Sequence, residues 1–152
     1  MSTPSSFPEE CLEKVEFPKV VVGPRGRSAC FLNPGRSEIV KIDVDCWLGE
    51  AGVLRSDFIV CKPEVVDVIL ELKGKDIEHG IDQIVATAKA WRGCGKASPT
   101  TGGLIVFTRS PARSAALDNI RLRMLKQHRI WLEMGKSGLK DYTFDIFGEG
   151  RL

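Results

Sequence analysis

No run of eighteen apolar residues occurs in the 152-residue chain, which leaves no segment able to cross a bilayer as a helix. The first ten residues, MSTPSSFPEE, have no basic start and no apolar stretch, so no secretory leader is expected, and the expected compartment is the cytoplasm. Excess charge of one sign is also scarce. The 22 lysines and arginines stand against 20 acids, and a net +2 argues by itself for no polyanionic partner. Five cysteines, Cys11, Cys30, Cys46, Cys61 and Cys94, show no Cys-x-x-Cys and no paired Cys/His spacing. That pattern speaks against zinc and against a disulfide framework, and it predicts reduced thiols packed as small apolar residues. Internal repeats are absent. What remains is an ordinary globular composition at the length of one domain, so a single domain over 1–152 is expected, with 1–7 a flexible tail.

Patterning along the chain predicts the elements. Pro8-Glu9-Glu10 opens a short helix over 8–15, with proline and acids in its first turn. In 17–32, VVV and ACFL flank GPRGR, the mark of a hairpin, and Asn33-Pro34-Gly35-Arg36 reads as a second turn. Alternation of Val40, Ile42, Val44 and Cys46 with Glu38, Asp43 and Asp45 predicts one strand over 38–47, with Asp43 and Asp45 on a common face. A strand from about Asp57 to Lys62 and another over 65–73 complete an antiparallel meander. Asp76 then caps a helix whose core face is Ile77, Ile81, Ile84, Val85, Ala88 and Trp91, while His79 and Gln83 share another face; Gly93-Cys94-Gly95 ends it. Residues 104–107 form a short buried strand, Ser110-Pro111 starts a basic helix, and strands follow at 129–134 and near 142–146. Strand, helix, strand, helix, strand after Val65 requires parallel crossovers. The predicted fold is therefore α/β, a mixed β-sheet flanked by helices.

One strand breaks a local rule. In VVDVILELK, residues 65–73, the side chains of Glu71 and Lys73 project to one side and those of Leu70 and Leu72 to the other, so two charges close a run apolar enough to be central in a sheet. Broken rules tend to mark sites. Asp57, Glu71-Leu72-Lys73 and Gln83 together resemble the motif of the PD-(D/E)xK nuclease superfamily, which includes many restriction enzymes and junction resolvases. Asn33-Pro34-Gly35-Arg36, Lys41 to Asp45, Ser56-Asp57 and ILELKGKDIEHGIDQI look similar to small members of that superfamily bearing an ELKG-D-xHxxxQ pattern. The resemblance runs from about Phe31 to Gln83 and implies a restriction endonuclease-like core over 31–134. Asp57 lacks the proline that usually precedes the first acid.

The resemblance implies hydrolysis of phosphodiester bonds in nucleic acid, DNA favoured, with Mg²⁺ or Mn²⁺ held by Asp57, Glu71 and the Leu72 carbonyl. Lys73 would orient the attacking water or neutralise charge on the phosphorane, and Gln83 would support the water. Asp45 and Glu38 compete as a further acidic ligand. Between 109 and 129 six basic residues meet the single acid Asp118, and Arg121, Arg123 and Lys126 are the candidates for the nucleic-acid backbone. A solvated helix face explains those charges equally well. A homodimer or a larger partner protein would supply the surface that a small domain lacks; no membrane role is expected. The rival class is a catalytically silent module of the same fold that binds nucleic acid or a protein, and an accessory protein of a defence or mobile element is a third reading.

Overall fold

The computed structural model describes residues 8–73, 76–108, 117–138 and 141–148, the Lys73 side chain excepted. The expected tail at 1–7 and the helix start at Ser110-Pro111 lie outside the described residues. A 3-10 turn at Glu9–Cys11 leads into β1 (Leu12–Val15), followed by β2 (Lys19–Val22) and β3 (Ala29–Leu32). Next come β4 (Ile39–Asp43), α1 (Val44–Leu48), β5 (Phe58–Lys62), β6 (Val66–Lys73) and α2 (Ile77–Gly93). The chain continues through β7 (Thr100–Phe107), α3 (Leu117–His128), β8 (Ile130–Lys136), β9 (Asp141–Thr143) and α4 (Asp145–Gly148).

Six strands form one sheet in the order β1-β4-β5-β6-β7-β8, and β2-β3-β9 form a second. The predicted meander is present: β4 pairs antiparallel with β5, and β5 with β6, in the registers Val40↔Cys61 and Ile59↔Ile69. Helices α2 and α3 then carry the chain over to β7 and β8, each parallel to its predecessor, as strand-helix-strand connections require. The sheet is mixed and flanked by helices, as the element order predicts. Asp76 caps α2 by accepting from the His79 N–H, at 3.1 Å.

Period-two alternation sorts the main sheet into two faces. On one, Ile42, Ile59, Ile69 and Ile105 pack under Ile81, Ile84, Ala88 and Trp91 of α2 and Met124 of α3. On the other, Val66, Val68, Leu70, Leu72, Leu104 and Val106 meet the second sheet and α4 through Phe31, Tyr142, Phe144 and Phe147. Phe147 is fully buried, a placement that contributes about 1.5–3 kcal/mol, and it lies so close to Gly102 of β7 that a Cβ there would stand 2.6 Å from its ring. Both faces of β6 are thus dry, which is why its sequence is nearly continuous in apolar residues.

Several expectations are corrected. The short helix over 8–15 is only the 3-10 turn, because Leu12–Val15 instead pairs along the edge of β4, Leu12↔Ile42. The strand over 38–47 stops at Asp43, whose carboxylate accepts from the Cys46 N–H at 3.2 Å and starts α1. Asp43 and Asp45 therefore share no strand face. The expected last strand is β9 followed by α4, and it joins β3 in the second sheet rather than the main one. The cysteines are not all reduced: Cys11, buried, and Cys46, on α1, form a disulfide that closes a separation of 35 residues, leaving Cys30, Cys61 and Cys94 free.

A link over that separation should contribute about 2–4 kcal/mol. Urea unfolding with and without dithiothreitol should show the midpoint falling on reduction, and thiol titration of the unfolded protein should rise from three groups to five. An unchanged midpoint would mean that the link constrains nothing. The chain's single tyrosine supplies a second test. Burial, followed by the nearby Glu133 carboxylate, pushes the Tyr142 phenol from 10.0 up to about 12. A raised folded-state pKa contributes stability fully present below pH 10 and lost as pH rises through 12. Tyrosinate absorbance should appear late in an alkaline titration, and Tyr142→Phe should lessen the loss of stability across that window.

Candidate functional site

The site is assembled where β5 begins and β6 ends. Asp57 immediately precedes β5 and is fixed through three groups. Its N–H donates to the Leu70 carbonyl at 3.1 Å, its carbonyl accepts from the Val44 N–H at 3.1 Å, and its Oδ2 accepts from the Leu72 N–H at 2.8 Å. Regular pairing ends at Phe58↔Leu70, and Asp57 leaves the ladder there: its N–H turns to β6 and its carbonyl to Val44, while Oδ2 reaches Leu72, so Asp57 is held against the Leu70–Leu72 stretch that contains Glu71. Glu71 is buried, 3% exposed, on the sheet face that carries α2, with Leu70 and Leu72 on the other. The alternation read from the sequence holds for these three residues. In an extended strand the N–H and C=O of one residue point toward the same neighbour, so the Leu72 carbonyl turns to the side of Asp57.

Helix α2 fastens the segment that carries Asp57. Gln83 Nε2 donates to the Arg55 carbonyl at 2.8 Å, and one turn later Thr87 Oγ1 accepts from the Ser56 N–H at 2.7 Å. The spacing of four residues puts both groups on one helix face. Gln83 Oε1 and Ser56 Oγ are buried and have no hydrogen-bond partner among the described residues. The Arg55 guanidinium binds Asp45 and the Glu50 and Val53 carbonyls, so a third element steadies the approach to Asp57.

The remaining sequence candidates are placed as follows. Asp45 is largely exposed and paired with Arg55. Glu38 precedes β4 at the end away from Asp57, since it is Asp43, at the other end, that pairs with Phe58. His79 is exposed in the first turn of α2. Lys73 is the last residue of β6, in register with Phe107. Arg121 is turned into the protein: Nε donates to the Leu132 carbonyl and a terminal nitrogen to Glu133 Oε1, both at 2.8 Å, while its guanidinium lies 5.0 Å from the centre of the Trp131 ring. Arg123 pairs with Glu78 at 3.2 Å, and Lys126 is exposed. Among the described residues no group of three or more His, Cys, Asp or Glu is arranged to hold a metal ion.

A second carboxylate on the α2 face of β6 went unremarked in the sequence reading. Asp67 is fully buried and accepts from Trp91 Nε1 at 2.7 Å, the Ser98 N–H at 2.6 Å and Ser98 Oγ at 2.7 Å. Its signal was available, a charge between Val66 and Val68 in a central strand. Three donors make it a structural anchor that joins β6, α2 and the α2–β7 loop. Beside it a cavity of about 440 Å³ is lined by Leu12, Ile42, Cys61, Trp91 and Pro99. Burial, with the Asp67 charge next, pushes the Cys61 thiol well up, so it stays protonated there.

No family model, no curated protein and no solved structure matches this chain.

Asp67→Ala should destabilise the protein by about 2–4 kcal/mol, because it orphans buried donors on Trp91 and Ser98. Urea unfolding measures this directly. A loss below about 0.5 kcal/mol, the level of an ordinary surface change, would show that the three hydrogen bonds do not anchor the loop.

Proposed function

We propose that this chain is a metal-dependent nuclease with a restriction endonuclease-like core, hydrolysing phosphodiester bonds in nucleic acid, with DNA favoured as substrate. The observation that carries the reading is the attachment of Asp57, just before β5, to Leu70 and Leu72 of β6, on either side of Glu71, with the Leu72 carbonyl turned to the same side. The succession of three antiparallel strands, helix and parallel strand supports it, since the PD-(D/E)xK resemblance implies that order.

The donor set fits a small hard cation. Mg²⁺ takes oxygen ligands and commonly only one or two carboxylates, the rest of its shell being water and substrate oxygens. Asp57, Glu71 and the Leu72 carbonyl would hold it. Bound there, Mg²⁺ or Mn²⁺ would supply Lewis acidity and a more acidic water. Glu71 is buried, and in such a low-dielectric setting the attraction between a carboxylate and a cation is strong. The Leu72 N–H holds Asp57 Oδ2 and so fixes the orientation of that carboxylate. Gln83 acts as a positioning residue through the Arg55 carbonyl, and Lys73 at the end of β6 is assigned to the attacking water or to the charge that builds on phosphorus. Arg123 and Lys126 are the outward cations offered to the nucleic acid, with Arg121 behind them. The proposal keeps the protein in the cytoplasm, as a homodimer or with a larger partner that presents the target.

A catalytically silent module of the same fold is the second reading. It is favoured by the engagement of the Gln83 amide with Arg55 and of Asp45 with the Arg55 guanidinium, and among the described residues no group of three acids is arranged to hold a metal ion.

Calorimetric titration of Mn²⁺ in chelator-free buffer separates the two. Binding by the wild type that Asp57→Ala and Glu71→Ala each abolish, with both variants still folded by circular dichroism, is the expected result. Absence of binding by the wild type, with nucleic acid present as well, selects the silent module, for which Glu71→Ala leaves nucleic-acid binding intact.

A further inference from the structure

We infer that the C-terminal ends of α2 and α3 form one phosphate-binding surface for nucleic acid, on which Lys89, His128 and Arg129 take the backbone phosphates. The inference rests on the nucleic-acid reading above but not on catalysis.

Two stretches of sequence meet at this surface. Residues 83–96 and 121–129 hold seven lysines and arginines and no aspartate or glutamate. Arg92 joins them in space, donating to the His128 carbonyl at 2.8 Å and to the Arg129 carbonyl at 3.3 Å. Arg129 follows α3 with φ +56°, the left-handed turn that takes the chain into β8, and it is exposed. Cations at helix ends complement the macrodipole, which accounts for the charges of each helix taken alone. It does not account for two such ends set against each other through Arg92. That repulsion is visible in the ionisation of the groups: burial, then Arg129, lowers Arg92, and burial, then Lys89, Arg92 and Arg123, lowers His128.

The shape of the surface points to a polymer. A groove of about 550 Å³ runs between the helices, with Lys89, Gln127 and His128 along it and the Arg123–Glu78 pair and Asp82 completing its charged lining. The cations are spread over two helices on open surface and do not converge on one buried cradle, which suits spaced phosphates better than a single phosphate ion. Glu78 and Asp82 oppose phosphate where they stand, so the backbone is confined to the acid-free ends. Leu54 also lines the groove and lies three residues before Asp57, which connects this surface to the candidate site. The assignment moves the interface away from Arg121, whose guanidinium is occupied by Leu132 and Glu133.

A bound phosphate would offset the cations that Lys89 and Arg92 on α2 and Arg123 on α3 present to His128, so binding should take up a proton. The test is fluorescence anisotropy of a short labelled DNA duplex in buffer with chelator and no metal, at several salt concentrations. Lys89→Ala/Arg129→Ala should bind about tenfold or more weakly and flatten the slope of log K against log salt by roughly 2, as the loss of two phosphate contacts requires. Lys14→Ala/Lys62→Ala, which removes equal charge elsewhere, should change both by much less. Wild-type affinity should rise as pH falls through the ordinary histidine range near 6.5, and His128→Ala should flatten that rise. Equal effects of the two double variants, or none from either, overturn the surface while leaving Asp57 and Glu71 untouched. Failure of the wild type to bind overturns it together with the nucleic-acid reading. Loss of Mn²⁺ binding with this pattern intact removes catalysis alone.

Discussion

The hydrogen bond from the Leu72 N–H to Asp57 Oδ2 closes the ladder between β5 and β6 at the point where regular pairing ends. A backbone donor at the end of a buried strand must find an acceptor, and here a side chain supplies it in place of a main-chain carbonyl. The consequence is geometric. Asp57 cannot swing away without orphaning that donor, so it stays beside Glu71, and the segment before it is drawn under α2, where Gln83 and Thr87 meet Arg55 and Ser56. Strand register, helix position and the pairing of two carboxylates are therefore linked through one contact.

Two buried acids on the α2 face of β6 show how differently one strand can use the same chemistry. Asp67 is surrounded by donors from Trp91 and Ser98 and ties a loop to the sheet. Glu71, four residues further on, lies between Leu70 and Leu72, the two residues whose backbone groups hold Asp57. Asp67 is therefore spent on the fold, whereas Glu71 lies beside the segment that carries Asp57.

What could be read in the sequence was what local periodicity encodes. The β4-β5-β6 meander, the cap at Asp76, the apolar face of α2 and the parallel crossovers all follow from spacing within a few residues, and they place Asp57, Glu71 and Gln83 near one another. Alternation failed at Asp43, where capping by its side chain turned an apparent strand into α1. The second sheet was out of reach for another reason: β9 pairs with β3 across more than a hundred residues, Phe31↔Tyr142, and no local pattern announces such a partner. Spacing rules likewise missed Cys11–Cys46, whose approach is created by β1 pairing along β4. Net positive charge near α3 was legible, but not that Arg121 would be spent on Leu132 and Glu133, because that depends on how α3 packs against β8.

The helix that supports Asp57 also sets the distance to the basic surface. Gln83 touches the Arg55 carbonyl; at 1.5 Å per residue Lys89 lies about 9 Å further along α2, and the end of the helix at Gly93 about 15 Å. Along B-form DNA, at 3.4 Å per base pair on one strand, those spans cover about three to five base pairs. Phosphates held by Lys89, His128 and Arg129 would then bring a phosphate a few steps away to Asp57 and Glu71, with Leu54 marking the path between.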